Sequence, residues 1–155
     1  MNIEILKYLE ENPEAYPNDI EDKHPIEGLT IPQIEALETK YNGGNPFPKA
    51  LRELLYLAGN DCYVLDNGGF DSQDELQSSQ REWMDEYNTS ISRPFFIVDL
   101  VSDMENFAFI YTDVQIDDPM VYHFTIDSGE IYELEKLKSY INSSIDMMKK
   151  GLNPF

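Results

Sequence analysis

Pro94-Phe95-Phe96-Ile97-Val98-Asp99-Leu100-Val101 is an almost continuous apolar run of strand length, and it limits the possible folds more than any other stretch of the chain. Such a run predicts a central strand covered on both faces. Phe107–Asp113 and Val121–Ile126 predict two further strands, and Asp127-Ser128-Gly129 turns the chain into a last short strand at Glu130–Glu133. Strands that follow one another through short turns favour antiparallel pairing, so a meander is expected.

Helical patterns flank this block. Ile3, Leu6 and Leu9 have helical spacing until Pro13 and Pro17 break it, which predicts a short docking helix followed by a loose acidic arm over residues 1–30. Thr30 with Gln33 forms a capping-box pattern, and Ile34, Leu37 and Tyr41 mark an apolar face up to the Gly43-Gly44 stop. Pro48 suits a first helical turn, after which Leu51, Leu54, Leu55 and Ala58 supply a buried stripe ending at Gly59. These two helices are expected to pack as a pair. Cys62–Leu65 reads as a short strand closed by the turn Asp66-Asn67-Gly68-Gly69. Ser72 with Glu75 then opens a third helix whose apolar face is Leu76, Trp83, Met84 and Tyr87. Leu134, Leu137, Ile141, Ile145 and Met148 mark a C-terminal helix that finishes in Lys149 and Lys150, favourably placed against the helix dipole, before a short tail at 151–155.

The expected fold class is therefore α+β, with a mainly antiparallel sheet and helices packed around it. A length of 155 residues supports one domain with a full core and is short for two. With 41% apolar and 12% aromatic residues the chain has enough to bury, so its charge does not signal disorder. The lone Cys62 cannot form an intramolecular disulfide or a cysteine metal cluster, no stretch approaches a membrane span, and no leader pattern opens the chain. A cytoplasmic location is the expectation.

The charge is unevenly placed. Of thirty carboxylates, fourteen lie between Asp61 and Asp118, a segment whose only cations are Arg81 and Arg93. Charge confined to one stretch can form a negative face that attracts a basic partner and repels nucleic acid phosphates.

Local sequence adds to this order of elements. The relevant pieces are Phe47-Pro48-Lys49-Ala50-Leu51-Arg52-Glu53-Leu54-Leu55 with Leu57-Ala58-Gly59, and Arg93-Pro94-Phe95-Phe96-Ile97. To these are added Phe107-Ala108-Phe109-Ile110-Tyr111, Asp118-Pro119-Met120-Val121-Tyr122 and Ser139-Tyr140-Ile141-Asn142. Over residues 31–150 the chain resembles the SUKH superfamily, the Smi/Knr-type domain of bacterial immunity proteins in polymorphic toxin systems. The resemblance implies an α+β domain that binds and neutralises a cognate toxin, often a nuclease or deaminase, inside the producing cell. A eukaryotic branch regulates cell-wall synthesis through protein contacts, so a regulatory interaction scaffold is the alternative.

Catalytic patterns are poor. There is no G-x-S-x-G elbow, and the two histidines are His24, beside Pro25 in the arm, and His123, inside a predicted strand. Cys62 follows Asp61, which raises rather than lowers a thiol pKa, and its small apolar character suits burial. Asp66-Asn67-Gly68-Gly69-Phe70-Asp71 departs from EF-hand spacing, with Gln77 where the loop's last glutamate belongs. Neither Gly43-Gly44 nor Gly68-Gly69 has the spacing of a phosphate loop. The reading is a non-enzymatic protein with no metal and no cofactor.

The partner-binding residues are then sought in the acidic segment: Asp66, Phe70, Asp71, Asp74, Glu75, Asp85 and Glu86, with Asp113, Asp117 and Asp118 on a strand connection. Each acid alone is adequately read as a solvated turn or helix-face group; together they suit a toxin with a basic surface. Trp83 and Tyr87 are read as core. Phe70, between glycines and polar residues, fits an exposed anchor or a buried one.

Overall fold

The computed structural model describes residues 1–17, 23–101 and 105–154. The acidic positions 18–22 of the arm and Asp103 of the charged segment lie outside them. Four strands, β1 (Phe95–Val101), β2 (Asn106–Tyr111), β3 (Met120–Thr125) and β4 (Ile131–Lys136), form one antiparallel sheet in the order β1-β2-β3-β4. Five helices accompany it: α1 (Lys7–Glu11), α2 (Ile31–Tyr41), α3 (Lys49–Ala58), α4 (Gln73–Glu86) and α5 (Leu137–Lys149). This is the α+β meander expected from the sequence.

Strand alternation sorts the sheet's side chains into two cores. Phe96, Ala108, Ile110 and Val121 face the layer of α1, α2, α3 and α5, where Leu6, Leu9, Ile34, Leu51, Ile141 and Ile145 are buried. Phe95, Ile97, Leu100, Phe107, Phe109 and Phe124 face α4, meeting Leu76 and Met84. The ring of Phe109 lies edge-on to Phe95, Phe107 and Tyr111, an arrangement favoured by the aromatic quadrupole.

The run at 94–101 is covered on both faces, but β1 is an edge strand rather than a central one. Its outer edge is closed by side chains instead of a neighbouring strand. The Gln77 amide donates to the Ile97 carbonyl (2.8 Å) and accepts from the Ile97 N–H (3.0 Å), while Arg81 donates to the Phe95 carbonyl (2.9 Å). An edge strand sealed this way is as apolar as a central one, so composition alone misplaces it. A bulge between Ile97 and Asp99 breaks the alternation and turns the Asp99 carboxyl toward α5.

Local signals hold at the helix ends. Gln33 Oε1 accepts from the Thr30 N–H (2.9 Å) and hydroxyl (2.7 Å), and Ser72 Oγ accepts from the Glu75 N–H (3.2 Å). Gly43 and Gly44 have φ of 60° and 81°, which side-chain-bearing residues rarely adopt, and the Gly44 N–H closes on the Glu38 carbonyl.

Three other expectations are corrected. Cys62–Leu65 is a turn, not a strand; only Asp61 pairs, through an isolated bridge to Glu27. Tyr63, Val64 and Leu65 are apolar because they plug the helical core. Leu134 lies on β4, 38% exposed, and α5 begins three residues later. Tyr87 is 48% exposed at the C-cap of α4, one turn beyond the buried Met84, where the helix runs off the sheet.

The N-terminal segment is integral to the core. Ile3, Leu6, Leu9, Ala15 and Leu29 are buried with the helices, and Tyr16 donates to the His24 carbonyl (2.6 Å), so the described part of the arm is not loose. Its anchor is Glu53, fully buried on α3. One carboxylate oxygen accepts from the Glu4 N–H (2.9 Å), and the other from the Ile5 and Leu6 N–H groups (2.8 and 2.9 Å).

Candidate protein-interaction surface

Helix α4 carries Glu75, Glu82, Asp85 and Glu86 on its solvent side, spaced so that they share one outer stripe, and Asp71 precedes it. All five are exposed. Among the described residues none of them has an ion-pair partner.

The two cations of the acidic segment do not offset this stripe. Arg81 turns inward, stacking between Tyr41 (4.6 Å) and Phe95 (4.2 Å) and donating to Gln77 and the Phe95 carbonyl. Burial lowers its pKa to about 10, which still leaves it charged at neutral pH. Arg93 lies over the Tyr111 ring (4.0 Å) and forms a two-pronged pair with Asp113 (2.7 and 3.1 Å). That pairing holds the Asp113 carboxyl below its usual range.

The residues singled out from sequence divide into two groups. Asp71, Glu75, Asp85 and Glu86 belong to the open negative stripe or its approach, although Glu75 also accepts from the Asp71 N–H (3.0 Å). Asp117 is exposed on the strand connection, and the rest have structural duties. Asp66 accepts from the Gly68 N–H (2.7 Å) to shape its turn. Asp74 is exposed but bound to Lys40 (2.7 Å) and Tyr41 (2.7 Å), and its pKa is lowered by those bonds. Phe70 is half-buried against the α4-side core. Trp83 is likewise half-buried there. Asp118 accepts from the Lys138 N–H (3.0 Å) in the first turn of α5, a cap supplied from outside the helix.

Among the described residues no hydrogen bond or ion pair joins the Asp66–Glu86 region to the Asp113–Asp118 loop. Asp113 and Asp117 instead line a cleft of about 700 Å³ between that loop and the α2–α3 connection, facing Lys49 and Arg52, with Ile116 57% exposed at its rim. Both cations are already engaged, Lys49 by Glu4 and Arg52 by Glu38 (3.2 Å).

His123 and Cys62, the base and nucleophile weighed from sequence, both have pKa values shifted by burial. His123 is half-buried on β3, its ring stacked on Tyr132 at 4.4 Å. Burial lowers its pKa, and Nδ1 is buried without a hydrogen-bond partner. Burial pushes the Cys62 thiol up to about 12, with Asp99 and Asp61 adding to it. Native protein at pH 8 is therefore expected to resist a thiol-alkylating reagent and to react at full rate only in denaturant; rapid native labelling would contradict this environment. Among the described residues no group of three or more His, Cys, Asp or Glu side chains could hold a metal ion, and no helix is long and apolar enough to cross a membrane.

Sequence reasoning missed the buried polar groups that shape this surface. Gln77, Glu38, Glu53 and Asp99 are all buried and bonded to backbone or side-chain groups between 9 and 49 positions away in the chain. A polar residue within an apolar stripe, as Glu53 is between Leu51 and Leu54, was the available signal. Comparison of the chain with family models, with curated proteins and with solved structures finds no match.

Proposed function

We propose that this chain is a non-catalytic binding protein that neutralises a cognate toxin with a basic surface by stoichiometric binding in the cytoplasm. The observation that supports the reading best is the uncompensated stripe on α4. Four exposed carboxylates stand there and Asp71 just before them, while Arg81 is turned inward and Arg93 is held by Asp113. Such a stripe repels itself in the free protein and is relieved by a cationic partner. A toxin that cuts or modifies nucleic acid has a basic surface for phosphates, so an acidic inhibitor complements both its cleft and its approach path. The resemblance to SUKH immunity proteins points to the same class of partner.

Changing Asp71, Glu82, Asp85 and Glu86 together to their amides tests the reading. Exposed, unpaired acids contribute little to folding, so thermal stability should be unchanged or slightly higher. Association with the basic partner at low salt should slow by about tenfold or more, and its salt dependence should flatten. An unchanged rate and salt slope would remove α4 from the interface.

A further inference from the structure

The two edges of the sheet are finished in opposite ways. On β1 the outward peptide groups are taken by Gln77 and Arg81, and the Leu100 N–H donates to the Asp66 carbonyl (2.9 Å). On β4 nothing comparable occurs among the described residues. The β3–β4 hairpin is closed by Thr125 and Glu130 (3.1 Å), and antiparallel alternation then directs the Tyr132 peptide groups to His123. Those of Ile131 and Glu133 are left facing outward. The strand is bare on its side chains too: Ile131, Tyr132 and Leu134 are 41%, 50% and 38% exposed. A bare edge carrying exposed apolar groups is a template for another strand.

Charge decides which strand. Asp127, Glu130, Glu133 and Glu135 lie along or beside β4 against Lys136 alone. Pairing two copies edge to edge would bring these acids together and join two chains of net charge −19. A strand bearing lysine or arginine at alternate positions meets the opposite condition. We infer that the free edge of β4 takes up one extended strand from a cationic protein partner, through main-chain bonds to Ile131 and Glu133 with basic side chains beside the glutamates. This rests on the neutralising function proposed above and adds a place where the toxin is gripped, on a different element from α4.

The test uses the full chain and a synthetic peptide alternating lysine and valine over about nine residues, a strand's usual span. A second peptide of the same sequence, N-methylated throughout, keeps the charge but has no main-chain donors. In the free protein the Ile131 and Glu133 amides should exchange rapidly with solvent and the Tyr132 amide slowly. The first peptide should slow exchange at Ile131 and Glu133 by about tenfold, and the methylated one should bind far more weakly. Glu133→Pro removes one outward donor without touching the β3 ladder and should weaken binding about fivefold. Ile131→Pro removes the other outward donor and serves if Glu133→Pro does not fold.

Equal binding of both peptides would reduce the effect to surface charge and overturn the inference. So would binding without protection at Ile131 and Glu133, no binding at all, or a homodimer that Glu133→Pro dissolves. None of these bears on whether the protein neutralises a toxin, which is read from the toxin's activity; conversely, loss of the α4 acids should leave the protection at β4 intact.

Discussion

Glu53→Ala is expected to cost about 3–5 kcal/mol of folding stability, a large part of the roughly 5–15 kcal/mol that holds a domain together. The carboxylate is fully buried and accepts from three consecutive backbone N–H groups, at Glu4, Ile5 and Leu6. Hydrogen bonds to a charged group are the strong ones, and removing the acceptor strands three donors, the Leu6 N–H buried and those of Glu4 and Ile5 partly so. Leu6 and Leu9, both fully buried, are set by that turn, so the loss should spread into the helical core. Glu53→Gln should fall between the two, because one amide oxygen can still accept while its NH₂ confronts a donor. Urea denaturation measures the loss, and hydrogen exchange at Glu4–Leu6 locates it. A cost below about 1 kcal/mol would mean that water replaces the carboxylate and that the N-terminal turn is not anchored by it.

The second large effect is a pH dependence centred on Asp99. The residue is 6% exposed, and burial raises its carboxyl pKa to about 7 even though the Tyr140 hydroxyl (2.6 Å) and the Asp66 N–H (2.6 Å) favour the charged form. The folded pKa lies above the ordinary value of 3.8, so the folded state binds this proton more tightly. The resulting stabilisation is complete below the unfolded pKa and is lost as pH rises through about 7. By linkage that loss is on the order of 4 kcal/mol. Asp99→Asn keeps an oxygen for the Asp66 N–H and offers an NH₂ to the Tyr140 oxygen, so it mimics the protonated acid. Around pH 8 the variant should melt higher than the parent, by about 10 °C for a chain of this size. Near pH 4 the two should coincide. General repulsion among the other acids affects both proteins alike, so the difference between their pH profiles isolates this group. Parallel profiles would show that Asp99 stays charged with no penalty.

How far the fold could be read from sequence depended on how local each cause was. Thr30 with Gln33, Ser72 with Glu75, and the Gly43-Gly44 stop act within a few residues, and each marks the helix end it was expected to mark. The meander followed from apolar runs separated by turns. What escaped depends on partners distant in the chain. Glu53 reaches back 47 to 49 positions, and Gln77 reaches forward 20 to seal β1. Tyr63, Val64 and Leu65 show the converse error, since their apolarity comes from plugging a core rather than from pairing.

The candidate surface was legible to a similar degree. Excess charge placed attention on α4, where Asp71, Glu75, Asp85 and Glu86 are exposed. Charge counting cannot tell an open acid from a working one. Asp66, Asp113 and Asp118 were therefore grouped with them, although they form a turn, an ion pair and a helix cap.

The central claim, that a basic toxin is neutralised by binding, is tested most directly by immobilising the purified protein, passing over it lysate of the cells that make it, and eluting with rising salt. The eluted proteins are then expressed in a sensitive host with and without this chain. One basic protein, held in stoichiometric amount, released only at high salt and harmful only when this chain is absent, is the predicted result. Several non-basic proteins released at low salt, with no protection of a poisoned cell, would contradict it and favour a regulatory scaffold.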